Sequence, residues 1–228
     1  MKYSIRVNEV NNMDGNLKGF ATVVFSDSFK VTNIAILENQ EKGQLFVSMP
    51  RYRTNEQDEN GNVYKDICNP ITKEFREELY GNILEAFDNL QKQDHEQEKG
   101  QERNEFRTAP DFTVSVTPFE REGSNIKGLA RIYFEDSFIV NNVNILQGKE
   151  SLFVAMPSYK TKQTDENDKP KYQEVCYPVT KEFRDKLYKE IISVYEWELQ
   201  QQKKQNNIPR GKQNRDGRNN YGSKKPFR

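Results

Sequence analysis

One group of residues that could hold a polyanion follows two strand-ending Met-Pro pairs. Arg51, Tyr52 and Arg53 come after Met49-Pro50, and Tyr159, Lys160 and Lys162 come after Met156-Pro157-Ser158. Cations there could hold phosphates while a tyrosine ring stacks on a base. The same positions also fit a solvated strand end, where Lys and Arg stems cover apolar surface. A second group opens two amphipathic segments: Lys73 and Arg76, then Lys181 and Arg184. Bases at a helix start strengthen its pull on anions, or they pair with acids such as Glu74, Glu77 and Glu78 on the exposed face. The third group is the end of the chain. Lys203, Lys204, Arg210, Lys212, Arg215, Arg218, Lys224, Lys225 and Arg228 stand there against one acid, Asp216.

That arm carries +8 over residues 203–228, and the whole chain sums to zero, so residues 1–202 carry −8. A neutral total therefore hides an acidic body with a basic extension. Tyr221 and Phe227 add stacking surface, and the many Gly and Asn residues disfavour packing. Such an arm binds a polyanion, aids solubility, or docks on its own acidic body. It has too little apolar surface to fold alone.

Other chemistry finds little support. Cys68, Cys176 and His95 are too few for a zinc site of ordinary spacing. Asp27 and Asp136 suit turns, and no nucleophile–base pair or phosphate-cradling Gly loop is present. The expectation is a non-enzyme with no metal and no cofactor. No signal-peptide pattern opens the sequence, and no apolar run reaches the roughly 18–20 residues of a membrane span. These features predict a cytoplasmic protein with reduced thiols and no membrane contact.

Positioning these residues falls to a repeat. "GFATVVFSDSFKVTNIAIL" (19–37) faces "GLARIYFEDSFIVNNVNIL" (128–146). "LFVSMPRYRT" (45–54) faces "LFVAMPSYKT" (152–161), and "YKDICNPITKEFREELY" (64–80) faces "YQEVCYPVTKEFRDKLY" (172–188). The first pair mixes alternating and continuous apolar runs around "SDSF" and "EDSF", which predicts strands joined by a tight turn. Pro50 ends the next strand. The polar stretches 55–62 and 162–170 read as hairpin loops. After Thr72 and Thr180, placed as N-caps, the period changes. Phe75, Leu79, Ile83 and Phe87 share one helix face, as do Phe183, Leu187, Ile191 and Tyr195. Each unit is therefore α+β: several antiparallel strands, then one helix. The expected division is a unit at 1–90, a polar linker at 91–110, a unit at 111–200 and a basic disordered tail at 201–228. Cys68 and Cys176 read as small core residues.

The patterns "FxDSFxVxNxxIL", "LFVxMPxxxT" and "CxPxTKEFRxxLY", each present twice, resemble the SpoVG family, the stage V sporulation protein G or septation regulators. The resemblance covers nearly all of both units. It implies small α+β units that associate as dimers, bind DNA and in some cases RNA, and regulate gene expression and septation without catalysis. Two departures stand out. The family's basic pair after Met-Pro-Ser is Tyr52-Arg53 and Tyr159-Lys160 here, and its Ala-His before the helix-entry proline is Cys68-Asn69 and Cys176-Tyr177. The doubled unit suggests a dimer fused within one chain, with further self-association left open. The expected function is that of a nucleic-acid-binding regulator in a bacterial cytoplasm. The alternative is a protein–protein adaptor that binds no nucleic acid.

Overall fold

Alternating burial shapes the two sheets. In the computed structural model, residues 1–10, 15–59, 61–93, 109–119, 122–164, 166 and 168–206 are described. The first unit runs β1 (Tyr3–Glu9), β2 (Leu17–Phe25), β3 (Phe29–Asn39), β4 (Gln44–Ser48), β5 (Arg51–Asp58), β6 (Gly61–Asp66), β7 (Cys68–Pro70) and α1 (Lys73–Gln93). The second runs β8 (Phe112–Pro118), β9 (Ile126–Phe134), β10 (Phe138–Gln147), β11 (Leu152–Ala155), β12 (Ser158–Thr164), β13 (Pro170–Glu174), β14 (Cys176–Pro178) and α2 (Lys181–Asn206). Along β2 every second residue, Gly19, Ala21, Val23 and Phe25, turns inward. This is the period-two pattern of a sheet with one buried face.

The turns between β2 and β3 and between β9 and β10 match. Ser26 and Asp27 take φ of 44° and 52°, and Glu135 and Asp136 take 44° and 47°. Two consecutive positive φ values suit the right-handed twist of a tight hairpin. Each turn is closed by backbone bonds, Ser28 N–H to the Phe25 carbonyl and Ser137 N–H to the Phe134 carbonyl, both 2.9 Å. Thr72 and Thr180 cap the helices: each Oγ1 accepts from the N–H three residues on, at 3.3 Å. The helix stripes then bury Phe75, Leu79, Ile83 and Phe87, and their counterparts Phe183, Leu187, Ile191 and Tyr195. Gly19 lets α1 approach closely. A Cβ there would lie 2.7 Å from both the Asn8 carbonyl oxygen and the Phe87 ring.

The two units exchange strands. β7 pairs with β10 of the second sheet, and β14 pairs with β3 of the first. Four backbone bonds flank the exchange in symmetric pairs. Thr32 N–H donates to Val175 O and Asn141 N–H to Ile67 O, at 2.8 and 2.7 Å; Ile71 N–H donates to Ser137 O and Val179 N–H to Ser28 O, both at 2.8 Å. The partner of β3 changes along its length, from β14 at residues 29–31 to β4 at residues 35–39. A bulge marks the change, with Asn33 at φ 60°, and Asn142 at φ 57° does the same in β10. Asn tolerates this left-handed conformation better than most residues.

One core results, in place of two separate ones. Phe25 packs on Phe138 at 4.9 Å and Phe29 on Phe134 at 4.7 Å between ring centroids. All four rings are fully buried, each contributing about 1.5–3 kcal/mol of burial. Cys68 and Cys176 meet in this core, where burial, and then the neighbouring Cys176, push the Cys68 thiol up. The stretch 55–62 read as a hairpin loop is mostly strand, since β5 reaches Asp58 and β6 begins at Gly61, whereas 162–170 is strand only at its two ends, in β12 to Thr164 and in β13 from Pro170. The tail boundary also shifts: α2 continues to Asn206, so the second helix extends past residue 200. Of the linker, residues 91–93 close α1 and residues 94–108, with His95, lie outside the described residues.

Candidate nucleic-acid interface

Register decides which side chains share a surface on the two hairpins. In β5–β6, Arg51 faces Asp66, Tyr52 faces Lys65 and Arg53 faces Tyr64. In β12–β13, Ser158 faces Glu174, Tyr159 faces Gln173 and Lys160 faces Tyr172. Directly opposed residues point to the same side and successive residues alternate. One side therefore carries Arg51, Arg53 and Tyr64, and its counterpart carries Lys160 and Tyr172. Lys162 follows two residues after Lys160. Tyr52 and Tyr159 lie on the reverse side.

This corrects the pairing of cations with Tyr52 and Tyr159 expected from their adjacency in sequence. The Tyr159 hydroxyl donates to Gln173 Oε1 at 2.8 Å and accepts from Asn33 Nδ2 at 3.2 Å. It fastens the second hairpin to the bulge of the first sheet. Arg51, Arg53 and Lys160 share a side with Tyr64 and Tyr172, 49% and 66% exposed, whereas Tyr52 shares its side with Lys65. Adjacent residues of a strand face apart, so adjacency in sequence does not put Tyr52 on the side of Arg51 and Arg53, or Tyr159 on the side of Lys160. The sequence signal for the two rings across from Arg53 and Lys160 is the tyrosine heading both "YKDIC" and "YQEVC".

The hairpin bases lie close to the helix starts. The Arg51 guanidinium stands 4.9 Å from the Tyr64 ring centroid, a cation–π contact. Burial raises the Asp66 carboxyl above its ordinary range, while the charges of Arg51 and then Arg76 pull it back. Arg76 is also committed to the fold, since its Nη2 donates to the Pro70 carbonyl at 3.3 Å. Arg184 Nη2 repeats this bond to Pro178 at the same distance. Both arginines thus fasten exchanged strands. Lys73 pairs with Glu77 at 3.7 Å in an exposed i,i+4 contact, worth little by itself. Lys181 is exposed without an ion pair among the described residues. Burial, helped by the nearby Asp66 and Glu174 charges respectively, pushes Tyr80 and Tyr188 up to about 12.

Lys203 and Lys204 sit on the last turn of α2, not in a separate tail. Cations there complement the negative end of the helix. Arg210, Lys212, Arg215, Arg218, Lys224, Lys225 and Arg228 lie outside the described residues, as do Tyr221 and Phe227. The structure thus brings Arg51, Arg53, Asp66 and Arg76 into one neighbourhood, repeated in part by Lys160, Glu174 and Arg184. No described helix is long and apolar enough to cross a membrane.

Fold and site together define a class: two like α+β units in one chain that complete each other's sheets and each carry a cation–tyrosine hairpin. The family profile of SpoVG matches residues 1–89 and 111–197. Relatives bearing the name "Putative septation protein SpoVG" include one from Treponema denticola, 34% identical over 74 residues, or 32% of this chain and 73% of that protein. Another from Caldicellulosiruptor saccharolyticus is 30% identical over 83 residues, 36% of this chain and 86% of its own length. A third from Clostridium botulinum is 27% identical over 89 residues, 39% of this chain and 90% of its own. The chain belongs to the SpoVG family and carries its unit twice.

Proposed function

We propose that this protein is a non-enzymatic, nucleic-acid-binding regulator that acts in septation or gene expression in a bacterial cytoplasm. The observation that carries this reading is the recurrence, in both units, of a cation opposite an exposed tyrosine on one side of a hairpin. The septation name of its relatives points the same way. The acidic body, −8 over residues 1–202, repels phosphates, so binding is weak and falls steeply with salt. The arm offsets that repulsion.

The test is fluorescence anisotropy with labelled DNA and RNA at several salt concentrations, comparing the full chain with residues 1–206. That cut leaves α2 whole and removes seven bases and one acid. The expected result is a flatter slope of log affinity against log salt, falling by about 0.7–0.9 for each phosphate that the arm had neutralised. An unchanged slope removes the arm from the reading, and no binding by the full chain removes the reading itself.

A second reading, a protein–protein adaptor, is favoured by a groove of about 430 Å³ between β11 and α2. Leu152, Val154, Tyr188 and Ile192 line it, with Phe153 46% exposed at its mouth. Among the described residues β11 pairs with β10 alone, so its outer edge could accept an extended strand from a partner. Capture of the same partner after nuclease treatment, abolished by Ile192→Asp, would favour this reading.

A further inference from the structure

We infer that Tyr64 and Tyr172 are stacking platforms for unpaired bases, which makes single-stranded nucleic acid the ligand of the two hairpins. The inference rests on the nucleic-acid reading above and narrows its substrate. Four observations carry it. Both rings are large and exposed, at 49% and 66%. Each stands directly across from a cation, Arg53 or Lys160, on the neighbouring strand. The arrangement occurs in both units, although the hairpins differ at most other exposed positions. The other hairpin tyrosine of the second unit, Tyr159, is held by two hydrogen bonds on the reverse side, whereas among the described residues no hydrogen bond holds the Tyr172 side chain.

The chemistry follows from this placement. An aromatic face flanked by a cation binds a base by stacking and the adjoining phosphate by charge. A duplex hides base faces inside its own stack and offers a protein its groove edges and backbone. A flat, exposed ring on a two-stranded ribbon therefore selects bases that are already unstacked. The sites are unequal. Arg51 already stands over the Tyr64 ring at 4.9 Å. The second unit has Ser158 where the first has Arg51, and among the described residues no cation stacks on Tyr172. Tyr172 is therefore the stronger platform.

The experiment compares the full chain with its Tyr64→Ala/Tyr172→Ala and Tyr64→Phe/Tyr172→Phe variants. The probes are labelled single-stranded DNA, single-stranded RNA and duplex DNA of one length, at one low salt concentration. Thermal unfolding of each variant checks the fold, which these exposed positions should leave intact. The expected result is a drop of at least about ten-fold in single-strand affinity for the Ala pair. The Phe pair should retain it, duplex affinity should change less than about two-fold, and Tyr172→Ala alone should weaken binding more than Tyr64→Ala alone. Parent binding that the Ala pair leaves unchanged, or that weakens equally on duplex, overturns this inference and leaves the nucleic-acid reading standing. A parent chain that binds none of the probes overturns both.

Discussion

Burial acts on individual tyrosines with a consequence in alkaline solution. Tyr3, Tyr80 and Tyr188 are each pushed up to about 12, first by burial and then by hydrogen bonding or nearby carboxylates. An unfolded tyrosine ionises near its ordinary value of 10.0. Between these two values the folded state holds protons that the unfolded state has released. Stability is therefore fully present below about pH 10 and drains away as pH rises toward about 12. Denaturant midpoints measured from about pH 8 to about pH 12 should fall across that window, and Tyr80→Phe/Tyr188→Phe should shallow the fall. At Asp66 the same logic runs in the acid range. Its raised carboxyl disfavours the folded state once ionised, so Asp66→Asn should gain stability at neutral pH, and the gain should vanish as pH drops below the ordinary carboxylate range.

Single elements carry the strand exchange. The bulges at Asn33 and Asn142 release one edge of β3 and β10 from β4 and β11 and hand it to the other unit. A β-branched residue in that left-handed conformation costs roughly 1–2 kcal/mol. Asn142→Val should lower stability by about that amount while Asn142→Gly holds it near the parent value, as chemical denaturation would report. Gly19 is a second such point. Gly19→Ala should destabilise by about 1–3 kcal/mol through overpacking against the Phe87 ring and the Asn8 carbonyl, with part of the stability recovered on Phe87→Leu. Much at this scale was readable from the sequence. The inward stripe of β2, the caps at Thr72 and Thr180 and the faces of both helices follow from periods of 2 and 3.6. The partner of β7 did not, because three residues hold no periodicity and their hydrogen bonds are satisfied equally well by either sheet. Tyr64 and Tyr172 escaped for a related reason. Which ring joins which cation depends on cross-strand register, and polar stretches such as 55–62 contain no apolar alternation to fix it.

The whole molecule is held as one cooperative body. Phe25, Phe29, Phe134 and Phe138 form a shared core, and each sheet is completed by three residues from the other unit. The full chain should therefore unfold in one transition, with ring probes in either unit reporting the same midpoint. A single unit should not rest as a monomer. Residues 1–93 alone expose the edge of β3 that β14 occupies, and a second copy can fill it with its own β7. Light scattering should give that fragment a mass of two units, while the full chain runs near 26.8 kDa, its linked halves already at high effective concentration. A fragment that stays monomeric and folded would contradict the shared core.

Because the halves are joined in one chain, a substitution reaches one hairpin without being copied into the other. Two identical subunits around a dyad have no such freedom, since every change there appears twice. The present chain has used it: Arg51 answers to Ser158 and Lys65 to Gln173. Under the nucleic-acid reading proposed above, a strand lying across both hairpins would meet two unlike ends, because the residues opposite the tyrosines differ between the units.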